Sequence, residues 1–411
     1  MPDTSEQTFA TELRRLRGTM TLRDLARRAC CSKSLIYDLE HERRSPTPQI
    51  ARALDNALGA GGKLVLLAEA QRQRSSEEDA TAPRSAVDDL LREWDDVLRR
   101  DFLKKSAGAI GAAAVANLGI SSTTASSHEL MDAHLALRAA HGRLDNLRGA
   151  SAVYAQAVDH HRQVLAWHSA ARTAAERQQI AALAADTGGF VGFLTYDLGM
   201  AENAATHYRD AAGHARYAGD LSCCTNLIGQ MSRILADQGH YRRALDLADG
   251  ALRLSGTKAH PAVRSWLHAV RAHHHACLND ARASQDDLSS SWALLERADD
   301  GEKPPYMGYL SAAELGKWTG HAMVRLGSTA PAFLATGKSA LDEARATWPA
   351  AIVRGSAEML TASARIYAAR GDRDEAADLV SRSIAVATAT GSARNLRAAL
   401  TAQAHVAAGG I

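Results

Sequence analysis

Proline and aromatic residues are scarce in this chain: nine prolines and 5% Phe, Trp and Tyr in 411 residues, against 46% hydrophobic residues rich in alanine. Sheets draw on aromatic and β-branched side chains, whereas alanine without proline lets helices run on, so the composition points to helix. Cysteine is also sparse. The five occur as Cys30-Cys31, Cys223-Cys224 and a lone Cys277, an odd number without CxxC spacing. That excludes a disulfide framework and the usual zinc spacings, and predicts a reducing compartment. Charge of one sign is lacking too, with 48 Lys and Arg against 46 Asp and Glu and a net of +2. The chain is no polycation, and any nucleic-acid surface has to be local. The longest apolar run, 107–120, is broken by glycines and Asn117 and is too short to span a bilayer. The opening MPDTSEQ is polar, with no apolar stretch behind it, which predicts no export signal, a cytoplasmic location and no membrane attachment.

Charge is distributed unevenly. Residues 1–75 hold 13 Lys and Arg against 9 Asp and Glu, a net of +4, whereas residues 76–100 hold 8 acidic residues against 4 arginines and include SSEEDATAPRS. This predicts a small basic domain over 1–75, a linker with connecting helices over 76–127, and a third region over 128–411. That last region shows helical periodicity throughout, with no period-two alternation and no Asn-Gly hairpin signal. The predicted fold class is all-α.

A register runs through the third region. Gly199, Gly239, Asn279, Gly327 and Gly371 recur at spacings of 40, 40, 48 and 44. Seven residues before them stand Gly192, Ser232, Ala272, Gly320 and Ala364; five after stand Ala204, Ala244, Ser284, Ala332 and Ala376; twelve after stand Ala211, Ala251, Ser291, Ser339 and Ser383. All fifteen are small. Small residues let two helices of a hairpin approach closely, and Gly or Asn ends the first helix in the left-handed conformation. The pattern resembles the tetratricopeptide repeat with a period above its usual ~34 residues, and implies a helical solenoid.

Within the basic domain, Phe9 to Arg17 reads as a first helix. Thr21 caps a second over LRDLARRA, Ser32 caps a third over KSLIYDLE, and Pro46 and Pro48 precede a fourth with Ile50, Ala51, Leu54 and Leu58 on its apolar face. On the third helix Leu35, Ile36 and Leu39 face inward, leaving Lys33, Ser34, Tyr37 and Asp38 toward solvent. Two short helices joined at Ala29-Cys30-Cys31 make a helix-turn-helix. Arg14, Arg15, Arg27 and Arg28 read as a solvated face.

LRRLR, LRDLARRA, SKSLIYDLE and RRSP stand in the order and spacing of the repressor-like helix-turn-helix proteins of the xenobiotic-response-element family, which residues 9–60 resemble. The resemblance implies that the third helix enters the major groove of duplex DNA. It makes Ser32, Lys33, Ser34, Tyr37 and Asp38 the groove-facing set, and Thr21, Arg23, Arg43 and Arg44 the phosphate contacts. Cys30 and Glu42 stand where that family usually has Gly, and Leu22 where it often has Gln, so an altered turn is expected. The whole plan resembles the helix-turn-helix plus tetratricopeptide regulators common in actinobacteria, and is similar in plan to the peptide-sensing quorum regulators of Gram-positive bacteria. This implies a homodimer on an inverted repeat.

In tetratricopeptide arrays the first helices line a concave surface. One residue after the small position come Phe193, Arg233, His273, His321 and Arg365, and seven residues earlier come Asp186, Asn226, Trp266, Glu314 and Glu358. Phe193, Asn226, Arg233, Trp266, His273, Lys317, His321 and Arg365 are therefore the candidate contacts for a peptide or small anionic signal. Two motifs mislead. The histidine pairs 134/141, 161/168, 207/214 and 268/275 are seven apart, ~10 Å along a helix, too far for one ion, so no metal is expected. Leu98 to Lys105, LRRDFLKK, looks like a twin-arginine signal but lies far from the N-terminus. With no phosphate loop, paired acid-base carboxylates or nucleophile motif in a supporting context, neither an enzyme nor a cofactor is expected. The sequence thus points to a DNA-binding transcriptional regulator with a sensing, dimerising solenoid. The alternative is an interaction scaffold in which the solenoid captures a protein partner and DNA binding is secondary.

Overall fold

The computed structural model describes residues 8–29, 31–41, 46–70, 127–299 and 301–407, all of them helix, turn or loop with no strand among them. Arg43 and Arg44, Cys30 and Glu42, the 76–126 stretch of the expected linker, and the twin-arginine-like segment lie outside the described residues. The chain divides into two compact units, 1–88 and 89–411. No described helix is long and apolar enough to cross a membrane.

The first unit contains α1 (Phe9–Arg17), α2 (Leu22–Arg28), α3 (Lys33–Glu40), α4 (Pro48–Leu58) and α5 over 63–70. Each of the first four starts where a hydroxyl can replace a missing backbone partner. Thr8, Thr21, Ser32 and Thr47 accept from the third residue beyond them. Phe9, Leu13, Leu25, Ile36, Leu39, Ala51, Leu54 and Leu64 fill one core. Burying such side chains contributes about 1.5–3 kcal/mol apiece, an upper figure because the unfolded chain already buries some apolar surface. Asp55 accepts from the backbone N–H of Gly62 (2.7 Å) and Leu64 (2.9 Å), which anchors the start of α5.

The second unit is an array of stacked helix pairs. After α6 (Ser127–Arg148), a 3-10 turn (Ala150–Ala152) and α7 (Tyr154–Ala170) come α8 (Ala174–Asp197) with α9 (Ala201–Ala218), and α10 (Leu221–Asp237) with α11 (Tyr241–Ser255). They are followed by α12 (Pro261–Cys277) with α13 (Ala281–Asp299), α14 (Ala312–Gly327) with α15 (Phe333–Thr347), α16 (Gly355–Ala369) with α17 (Arg373–Ala389), and a final α18 (Ala393–Ala407). Successive first helices also touch one another, so they make an inner layer.

The small residues sit where the expected register places them in four pairs. Gly199 (φ 82°) and Asn279 (φ 60°) end first helices in the left-handed region, and Asn279 is the sole non-glycine there among the described residues. A Cβ on Gly192 would stand 2.9 Å from the Tyr208 ring, so glycine permits that crossing. Two serines at the contact satisfy their hydroxyls across it: Ser265 and Ser291 exchange hydrogen bonds to each other's carbonyls at 2.8 Å. The fourth pair departs. Gly327 is still helical, the turn is longer (328–332), and Ala332 and Ser339 are exposed. The close approach is made five residues further on, where Gly337 lies over Met323 and buried Ala344 meets Gly316. Gly327 is small because Leu334 presses on it: an added Cβ would lie 2.2 Å from Leu334 Cδ2.

The array closes on itself. Arg354 in the turn before α16 binds Asp145 of α6, the Val353 N–H donates to the Asn146 carbonyl (3.1 Å), and Ser392 before α18 donates to Asp197 at the end of α8 (2.7 Å). Gly149 rests against the Thr390 backbone so closely that an added Cβ would fall 1.9 Å from its carbonyl oxygen.

Candidate functional site

Closure turns the expected open groove into a cavity of about 470 Å³, within the usual range of small-molecule sites. Its walls come from α6, α8, α9, α10, α12, α14, α16 and α18, with Pro305, Tyr306 and Tyr309 from the 301–311 loop. The Tyr306 hydroxyl reaches Asp220 Oδ1 at 3.4 Å, which ties this loop to the start of α10.

Two heights of the sequence register behave differently. Asp186, Asn226, Trp266, Glu314 and Glu358 all line the cavity. Of the other set, Phe193 and Arg233 line it, whereas His273, His321 and Arg365 do not. His273 instead lies against Cys277 Sγ (3.8 Å) and the edge of Trp318 (6.0 Å between centroids), and Arg365 is exposed. The two heights lie seven residues, about two turns, apart on each helix, and in the last three pairs the later one falls past the cavity's edge. Lys317 also lines the wall.

Charged groups that the register does not mark complete the wall. Arg354 holds Asp145 through two N–H groups (2.5 and 3.0 Å) and stands 3.8 Å from Asp197. Its guanidinium lies over Phe193, 4.5 Å from the centroid. Arg394 donates to Glu358 and also faces Asp197 at 3.8 Å. Lys317 bridges Glu314 (2.9 Å) and Glu358 (3.2 Å). Burial alone would raise the Glu358 carboxyl, but Arg394 and Lys317 hold it well below the usual carboxylate range. Arg138 pairs with Asp186 (3.2 Å) over the Phe190 ring (3.9 Å). Arg233 differs: its polar partner is the neutral Gln230 Oε1 at 2.9 Å, and it faces the rings of Tyr196 (5.6 Å) and Trp318 (5.2 Å). Among the described residues, no group of His, Cys, Asp and Glu is gathered to hold a metal ion.

In the first unit, α3 presents its start to solvent. Ser32 caps it, accepting from the Leu35 N–H at 3.1 Å, and shares a 3.1 Å hydroxyl contact with Ser34. Lys33, Ser34 and Tyr37 are exposed and Asp38 is half-buried, while Ile36 and Leu39 pack into the core behind them. The Tyr37 ring stacks on His41 at 4.0 Å. The orientation of α3 is fixed from below. Arg17 at the end of α1 grips the buried Glu40 at the end of α3 (2.5 and 3.1 Å) and donates to the Met20 carbonyl (2.9 Å). The sequence profile of a helix-turn-helix domain matches residues 8–68. Residues 8–68 form a helix-turn-helix domain. Comparison with curated proteins and with solved structures finds no match to the chain.

Within this helix-turn-helix domain, Thr21 caps α2, accepting from the Asp24 N–H at 3.1 Å and donating to Asp24 Oδ2 at 2.6 Å, and Arg23 is exposed beside it. Arg14, Arg15, Arg27 and Arg28 are exposed as the sequence suggests. Arg15 nevertheless has a partner: with Lys63 (2.9 Å) it holds the buried Glu12 carboxylate (2.7 Å). The Arg15 hydrogen bond outweighs burial and lowers Glu12 to about 2. Glu12 and Glu40 escape sequence reading because each looks like an exposed helix acid. Their burial follows from tertiary neighbours at 63 and 17.

Proposed function

We propose that the protein is a DNA-binding transcriptional regulator whose α3 reads duplex DNA and whose helical array binds a signal. The observation that carries the DNA reading is the exposed start of α3, with Lys33, Ser34 and Tyr37 outside and Ile36 and Leu39 locked inside, in a domain matched as helix-turn-helix. The start of a helix with its free N–H groups suits phosphate, and a lysine there suits guanine O6 and N7. Arg23, Arg43 and Arg44 contribute sequence-independent attraction to the backbone.

The reading includes a homodimer on an inverted repeat, with the array as its sensing part. The repeat pairs support a tetratricopeptide-like sensor, and a cavity of about 470 Å³ favours a small signal over an extended peptide. A signal alters DNA binding only if it binds two conformations with different affinity.

Selection of full-length protein against a randomised duplex pool at two salt concentrations tests this. Enrichment of an inverted repeat with half-sites one or two helical turns apart, surviving the higher salt, supports it. Binding that vanishes with salt and enriches nothing overturns it.

A further inference from the structure

Resting on the reading of the array as a sensor, we infer that the cavity is a receptor site for a small organic anion with an apolar body, seated by Arg233, Asn226 and Tyr208. Four of the six cations of the wall are matched: Arg138 by Asp186, Arg354 by Asp145, and Arg394 and Lys317 by Glu358. A fifth, Arg143, is exposed to solvent, whereas Arg233 is half-buried and unmatched. No carboxylate among the described residues stands within ion-pair distance of it, and one N–H goes to the neutral Gln230. A guanidinium offers five N–H groups in a planar fork that matches a carboxylate, and leaving them unmatched away from water is costly.

A second observation converges on the same wall. Asn226 is 6% exposed and its side-chain Oδ1 has no hydrogen-bond partner, and the buried Tyr208 hydroxyl has none either. Both residues line the cavity. Unmatched buried polar groups are costly, and those that line a cavity can be matched by a ligand's polar atoms. Asn226, Gln230 and Arg233 fall at i, i+4 and i+7 on α10, one face of the helix and ~10 Å of ladder. The opposite requirement, an apolar body, comes from Trp266, Leu227 and Trp348 on the same cavity. An anion at one end and a hydrogen-bond donor about 10 Å away for the Asn226 oxygen, with carbon between, is the complement of this surface.

The test uses the full chain and a panel of aryl-alkanoates (phenylacetate, 3-phenylpropionate, indole-3-acetate) paired with their primary amides, plus an uncharged pentapeptide, read by native mass spectrometry and thermal melting. Carboxylates are expected to bind and to raise Tm, with the amides weaker by roughly 10- to 100-fold, the worth of a charge-assisted hydrogen bond. Arg233→Gln is expected to erase that preference. Arg233→Lys, which keeps the charge and loses the planar fork, is expected to weaken carboxylate binding while keeping the preference over amides, and serves if Arg233→Gln fails to fold. Equal binding of acids and amides, preference for the peptide, or no binding by any member overturns the inference. Its fate is separable from that of the DNA reading: carboxylates that bind yet leave duplex affinity unchanged uphold the site and sink the signalling role, whereas duplex selection succeeding with an inert cavity does the reverse.

Discussion

Arg354 and Asp145 stand 209 residues apart and hold each other through two N–H···O contacts of 2.5 and 3.0 Å, both side chains buried. The pair joins the first helix of the array to the start of its last helix pair, so the wall of the cavity and the closure of the array depend on the same two side chains.

Asp145→Ala leaves the Arg354 guanidinium buried with Asp197 at 3.8 Å as its remaining carboxylate. A loss of about 3–5 kcal/mol is expected, the usual result of removing one partner of a buried pair. Chemical denaturation of the full chain measures it, and a change below ~1 kcal/mol would show that closure does not depend on this contact.

Gly149 and Gly239 share a positive φ (83° and 84°), but an added Cβ meets the Thr390 oxygen at 1.9 Å in the first and nothing within 4 Å in the second. Gly239→Ala should therefore cost only the backbone strain, about 1–2 kcal/mol. Gly149→Ala adds a clash with backbone at the closing contact and should melt clearly lower. Equal melting temperatures for the two variants would contradict the closed arrangement.

Lys33 and Arg17 separate contact from support. Lys33 is exposed and has no ion-pair partner among the described residues, so Lys33→Ala should leave stability within ~0.5 kcal/mol and weaken binding to a selected duplex by about 1–3 kcal/mol. Arg17→Met uncouples the buried Glu40 and should lower stability and duplex affinity together. Paired melting and duplex titrations distinguish the two outcomes.

His160 and His161 on α7 are depressed to about 4, first by burial and then by neighbouring histidines. The Nδ1 of His134 contacts His160 Nε2 at 3.0 Å, and His161 contacts the Thr187 hydroxyl at 2.9 Å. A base whose folded pKa lies below its unfolded value binds its proton more readily in the unfolded chain. Stability is therefore intact above the unfolded value of ~6.5 and falls as the pH drops from there toward about 4. The slope approaches about 1.4 kcal/mol per pH unit for each histidine. Denaturation between pH 7.5 and 4.5 checks this, and His160→Gln with His161→Gln should flatten the profile.

The helix-turn-helix boundaries were legible because capping hydroxyls and short periodicities are local: Thr21, Ser32 and the span Phe9–Arg17 fall where the sequence places them. The stacked pairs were legible for the same reason, since Gly192 or Ala211 is small for a neighbour within one hairpin. The fourth pair was misplaced because Gly327 carries the right residue type for a turn while serving as a seat for Leu334. Half of the charged wall was out of reach. Arg354 and Arg394 sit in or just beyond turns with no period to announce them, and Asp145 lies on a helix whose apolar pattern is faint. Long-range pairing leaves no trace in local spacing.

A linear stack of repeats has two exposed ends and frays from them, each unit lost against a single neighbour. Here the contacts of Gly149 with Thr390 and of Asp197 with Ser392 give the first pair a second neighbour. In the language of a one-dimensional lattice the boundary is periodic, so no pair can melt by sacrificing one interface alone. Unfolding is pushed toward a single concerted transition, and the array behaves as one cooperative body although it was assembled from interchangeable hairpins.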